Sequence, residues 1–266
     1  MELANPEAGG AGSPAQEFYR QVIATLQRAG VPCLVGGAYS FALQTRVERL
    51  TKDLDLFVRP ADVDRAIAAA RAAGFRAAIS SPHGLAKIES DHGFIDVIFS
   101  SGNGIATVDD EWFAHAREEQ VLGLTMPVCP PEETIWSKAF VMERSRFDGA
   151  DVAHLLLARA DSLDWERLVR RFGANWRVLL AHLILFGFIF PTERHRVPRA
   201  ALDGLLARLA EEAAGPAPAD KVCRGTLLSW HEYLIDLEYG GFRDARLRPD
   251  GPLTPREVEL WTERPK

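Results

Sequence analysis

Between residues 16 and 29 the apolar side chains fall at Phe18, Val22, Ile23 and Leu26, the spacing of one helix face, and Gly30 supplies a stop. A first helix is predicted there. The apolar run 31–35 is too short for a helix and ends at Gly36-Gly37, so it reads as a strand entering a turn, after which 39–44 resumes helical spacing. Over 53–58 the period becomes two: Asp53 and Asp55 point one way while Leu54 and Leu56 point the other, into a core. An alanine-rich helix over 61–73 follows, closed by Gly74. Short β-like runs at 75–79, 85–89 and 94–99 come next, separated by Ser-Ser-Pro-His-Gly and Asp-His-Gly turns.

Beyond Pro130-Pro131 the pattern is helical almost throughout, with segments at 132–143, 148–158, 165–172, 176–190, 199–214 and 227–237. This change of texture predicts a disordered tail over 1–14, a mixed α/β domain over 15–130 and a helical domain over 131–266. The fold class is therefore α+β: a small mixed sheet flanked by helices, followed by a mostly α-helical C-terminal domain. Residues 213–220 read as a linker, and the Pro/Arg-rich end from Arg246 as irregular. The most apolar run, 176–190, is interrupted by Arg177 and His182 and stopped by Pro191. It falls short of the roughly 20 apolar residues that cross a bilayer, so a buried core helix is expected and no membrane role.

Composition narrows the function classes. With 47% hydrophobic and 26% charged residues in 266, the chain can bury a sizeable core. A net charge of -6 supplies no global basic field for a nucleic-acid backbone. Cys33, Cys129 and Cys223 are odd in number and widely spaced, which argues against a disulfide framework or structural zinc and for a cytoplasmic location. The first 15 residues lack the pattern of a secretory signal. The seven histidines form no His-Glu-x-x-His cluster, and neither a Walker A loop nor a Gly-x-Ser-x-Gly elbow occurs. Arg167, Arg170, Arg171 and Arg177, interleaved with Trp165, Phe172 and Trp176, read as the solvated side of amphipathic helices in preference to an RNA-binding face.

The carboxylates carry the candidate chemistry. Asp53 and Asp55 stand about 7 Å apart on one strand face and repel each other unless a cation lies between them. Hard divalent ions take such oxygens together with substrate phosphates, and a pair of ions can clamp the attacking and leaving oxygens of a nucleotidyl transfer. Asp96 is the one charged residue in the apolar run 94–99, where a buried charge requires a cationic side chain or a metal to answer it. Gly36 and Gly37, between a strand and a helix start, let backbone N–H groups face a phosphate, and Ser40 adds a hydroxyl.

Gly36-Gly37, Asp53-Leu54-Asp55 and Asp96, in that order, resemble the nucleotidyltransferase superfamily related to DNA polymerase β. The segment Arg49-Leu50-Thr51-Lys52, and Pro131-Glu132 followed by Lys138 and Arg146-Phe147-Asp148-Gly149-Ala150-Asp151, are similar to the small standalone bacterial group that includes AbiEii-type toxins. The resemblance covers about residues 31–151. The gap between glycines and acids is longer than in the polymerases, and Ala38 stands where a hydroxyl residue is usual.

The resemblance implies a catalytic set of Asp53, Asp55 and Asp96, all three holding two Mg²⁺ ions, with Mn²⁺ as a substitute. It implies an NTP bound at Gly36, Gly37, Ser40 and Lys138, and transfer of an NMP to a hydroxyl of a tRNA, a protein or a small molecule. Asp148 and Asp151 read equally well as structural partners of nearby arginines. The rival reading is a non-catalytic nucleotide-binding or toxin-antitoxin component that acts through an antitoxin or other protein partner.

Overall fold

The computed structural model describes residues 13–49, 51–101 and 104–262. In chain order its elements are α1 (Pro14–Arg28), β1 (Leu34–Val35), α2 (Gly37–Thr45), β2 (Asp53–Phe57), α3 (Val63–Ala72), β3 (Arg76–Ser81), β4 (Leu85–Ser90), β5 (Gly93–Ile98), β6 (Ser100–Ser101) and β7 (Ala106–Thr107). They continue with α4 (Asp110–Ala114), β8 (Arg117–Val121), β9 (Leu124–Val128), α5 (Pro131–Ala139), α6 (Gly149–Arg159), α7 (Trp165–Phe172), α8 (Trp176–Ile189) and α9 (Arg199–Ala214). The last are β10 (Val222–Cys223), α10 (Leu234–Glu238), β11 (Arg243–Asp244) and α11 (Pro255–Thr262). This is the α+β architecture expected: a mixed sheet with flanking helices, then mostly helix. The described residues divide into two compact units, one within Met1–Ser40, Glu48–Phe99 and Val108–Cys129, the other within Phe41–Val47, Ser100–Thr107 and Pro130–Lys266.

The tail expected over 1–14 lies outside the described residues as far as residue 12. Ser13 caps α1 reciprocally: its Oγ accepts from the Gln16 amide while the Gln16 side chain accepts from the Ser13 amide, and Pro14 supplies a preset first turn. In the first unit seven strands form one sheet in the order β3-β4-β5-β2-β1-β9-β8. Strands β2 and β5 run parallel, as do β1 and β9, and every other neighbouring pair is antiparallel. The period of two decides the faces. Leu54 and Leu56, Ile88, Ile95 and Val97 join Phe18, Val22, Ile23 and Leu26 of α1 and Ala66, Ile67 and Ala70 of α3 in one core. The opposite face carries Asp53, Asp55, Lys87, Phe94 and Asp96, and farther along Phe57, whose ring stacks on buried Trp112 of α4 at 5.2 Å.

The second unit is built on α5 to α9. Its core includes Ile135, Phe140, Leu155, Leu156, Leu168, Phe172, Trp176, Leu179 and Phe186. Arg167 was expected to be solvated and is instead buried, with its guanidinium 2.6 Å from both Glu132 and Glu133; Arg171 reaches Glu133 at 3.0 Å. Partners more than thirty residues upstream neutralise the arginines internally, which the helix pattern alone could not reveal. Helix α8 also departs from expectation. Trp176, Leu179, Leu180, His182, Leu183 and Phe186 are buried, whereas Ile184, Leu185, Phe188 and Ile189 are exposed. An apolar helix gains cover only along the stripes its neighbours reach. The stretch Trp165–Ile189 is long and apolar enough by length and composition to cross a membrane, and a core helix passes the same test. The helix expected over 227–237 reduces to a short 3-10 turn and α10, and the end from 246 holds helix α11.

Two groups make the second unit acid-sensitive. Burial pushes His182 below its ordinary 6.5, against the hydrogen bond that Nε2 donates to the Ala139 carbonyl at 2.9 Å. Burial also works against the Asp148 carboxylate, but Arg146 and Lys138 outweigh it and hold that group below 3.8. Both bind fewer protons folded than unfolded, so their stabilisation is present above the unfolded values and is lost as pH falls through the lowered ones. Stability should therefore decline as pH drops below about 6.5, with the Asp148 contribution lost only in the acid range. Thermal unfolding of His182→Gln between pH 7 and 5 should show a flatter dependence than the parent; an unchanged slope would contradict the assignment.

Candidate active site

The parallel register of β2 and β5 sets Asp55 opposite Asp96 and Asp53 opposite Phe94. All three acids therefore project from one sheet face, and one carboxylate oxygen from each lies within 4.8 Å of the others. None is fully buried. Neighbours hold them in place. The Thr51 hydroxyl donates to Asp53 Oδ1 at 2.5 Å, and on the far side Lys87 Nζ meets Asp96 Oδ1 at 2.6 Å. The cation required by a charge in the run 94–99 is thus a lysine on the adjacent strand.

The glycines perform a steric task. The Gly36 amide donates to the Asp55 carbonyl at 3.0 Å, and a side chain at 36 would collide with the Phe57 ring. Gly37 opens α2 with φ of +54°, and a Cβ there would overlap Asp55 Oδ2. The start of the helix and the second carboxylate occupy neighbouring space, so an anion at the helix N-terminus would lie beside the acids. Ser40 is fully buried one turn on, with Oγ 3.5 Å from the Cys129 carbonyl. Lys138 belongs to the second unit, where its ammonium meets Asp148 at 3.1 Å and Asp151 at 2.8 Å; Arg146 also grips Asp148.

Thr51, from the segment already noted ahead of the acids, borders them, and so do three residues that were not singled out in the sequence: Lys87, Tyr19 and Tyr39. Burial pushes the Tyr19 phenol up to about 12, with Tyr39, Asp53 and Asp55 adding to it, and its hydroxyl donates to the Lys52 carbonyl at 3.2 Å. Burial and the nearby Asp53 charge raise Tyr39 as well. Both phenols stay protonated at neutral pH and can donate. Lys87 had a readable signal, since it shares the outward parity of its strand, but its partner follows only from strand pairing.

The donor set suits a hard cation. An octahedral Mg²⁺ holds oxygens at about 2.0–2.1 Å, hence roughly 3–4 Å from one another, so carboxylate oxygens within 4.8 Å can close on it by small side-chain rotations. Soft ligands are absent from this cluster, whose members are all aspartates.

Residues 14–185 match the family model described as uncharacterised nucleotidyltransferase. No curated protein matches the chain. Among solved structures, an antigenic nucleotidyltransferase-like protein from Paracoccidioides brasiliensis is 11% identical, with 72% of this chain and 94% of that one covered and a TM-score of 0.44. The antibiotic-resistance factor ANT(2'')-Ia is 16% identical over 74% and 96% of the two chains, with a TM-score of 0.39. The lincosamide antibiotic adenylyltransferase LnuA is 13% identical over 54% and 96%, with a TM-score of 0.38. The narrower likeness to AbiEii-type toxins has no counterpart among these matches.

Gly30 also has a positive φ, +65°, but open space where a Cβ would stand. Gly30→Ala should therefore cost about 1 kcal/mol for backbone strain alone. Gly37→Ala should cost about 2–3 kcal/mol, because it must also displace Asp55. Urea unfolding of both variants checks this, and equal losses would contradict the close approach to Asp55.

Proposed function

The chain belongs to the nucleotidyltransferase family and is an enzyme of nucleotidyl transfer, and we propose that it moves an NMP from an NTP to a hydroxyl acceptor in a reaction dependent on Mg²⁺. The observation that carries this reading is the convergence of Asp53, Asp55 and Asp96 beside the glycine-led start of α2.

In this reading Asp53, Asp55 and Asp96 hold the divalent metal, Thr51 fixes the Asp53 carboxylate, and the amides at the start of α2 receive the outer phosphates. The metal, with Mn²⁺ able to replace Mg²⁺, would supply neutralisation of the triphosphate and of the charge on the attacking and leaving oxygens. Asp96 accepts the proton of the acceptor hydroxyl as its oxygen bonds to the α-phosphorus; the bond from that phosphorus to the bridging oxygen breaks and pyrophosphate leaves with the electron pair. Lys138 is engaged by Asp148 and Asp151 within the second unit, so a role for it in triphosphate binding would require it to leave both partners. A protein or small-molecule hydroxyl is favoured over a large RNA, because the net charge is -6 and Arg167 and Arg171 are neutralised internally.

Incubation with each α-labelled NTP, Mg²⁺ and a cell extract should transfer label to an acceptor with release of pyrophosphate. Asp53→Asn with Asp55→Asn should lower that transfer at least about 100-fold without unfolding the protein, since it removes two ligands and relieves repulsion. Equal transfer by the double variant would remove these residues from the chemistry.

A further inference from the structure

We infer that Lys87 is a positioning residue for Asp96, a resident cation that fixes the third carboxylate and weakens the hold of the nucleotide-free protein on metal. This inference rests on the reading of the three aspartates as metal ligands. The antiparallel register of β4 and β5 sets Lys87 directly opposite Asp96, and its ammonium lies 2.6 Å from Asp96 Oδ1 and 4.1 Å from the centre of the Phe94 ring. Two neighbours on one strand thus fix it, an anion and an aromatic face. The Lys87 side chain is only 31% exposed, so this is not a loosely solvated surface pair.

The three acids are not equivalent. Asp53 Oδ1 is bound by a neutral hydroxyl, whereas Asp96 Oδ1 is bound by a full positive charge. With Lys87 counted, the cluster carries -2 instead of -3. A cation entering the site meets repulsion from Lys87 and finds one Asp96 oxygen already engaged. Lys87 therefore trades metal affinity for a fixed orientation of the carboxylate that faces the acceptor.

This gives effects of opposite sign, which a packing role would not. Lys87→Met keeps the aliphatic stem over Phe94 and removes the charge. Mn²⁺ binding to the nucleotide-free protein, followed by electron paramagnetic resonance, should tighten by roughly three- to tenfold from the lost repulsion. Nucleotidyl transfer at saturating metal should fall about tenfold or more, in kcat and not in KM for the NTP, as expected for lost orientation. Lys87→Arg should return both quantities toward the parent values. Thermal unfolding establishes that each variant is folded, and Lys87→Gln carries the same test should the methionine variant not fold. Mn²⁺ binding that is unchanged or weaker in the variant would overturn the role of Lys87 alone. Absence of Mn²⁺ binding by the parent protein would overturn the metal reading itself, and the role of Lys87 with it.

Discussion

Three carboxylates held with oxygens inside 4.8 Å repel one another, and the arrangement of the first unit is organised around that cost. Such a cluster persists only where the backbone imposes it and neighbouring groups offset the charge. Here the imposing element is the parallel pairing of β2 and β5, which sets Asp55 against Asp96 while Leu54 and Ile95, one residue away on each strand, are wholly buried. A shift of either strand by one residue would bury the acids and expose the leucine and isoleucine, so the hydrophobic core beneath the sheet fixes the register of the site above it.

The groups around the cluster divide the remaining work. Thr51 supplies a neutral donor to Asp53, Lys87 a charge to Asp96, and Gly37 the vacant Cβ volume that Asp55 Oδ2 needs. The same glycine starts α2, so the place where a triphosphate would meet helix amides adjoins the place where metal would meet oxygens. One residue without a side chain would thereby serve both the acid and the anion.

Much of this was legible in the sequence because it is local. The alternation of Asp and Leu over 53–56 gives the shared face of the acids and their buried neighbours, and Gly36-Gly37 gives the strand-to-helix turn. What escaped depends on pairing between distant segments. Lys87 acquires its role from the β4–β5 register, and Arg167 is buried because Glu132 and Glu133 meet it across the helical unit. The hairpin of β8 and β9 was missed for another reason: β8 is an edge strand whose first four residues, Arg117 to Gln120, are polar and exposed, so it carries no apolar alternation. Helix α11 was missed because the prolines and arginines around it read as irregular chain, although a proline at a helix start is well tolerated.

The central claim is that the aspartate cluster and the start of α2 form one site for metal and triphosphate. The most direct test is crystallography of the protein with Mn²⁺ and a non-hydrolysable NTP analogue, using anomalous scattering to locate the metal. The account predicts a manganese peak within bonding distance of Asp53 and Asp55, with the outer phosphates at the amides around Gly37. Manganese or triphosphate bound elsewhere, with the three carboxylates facing only solvent and Lys87, would contradict it.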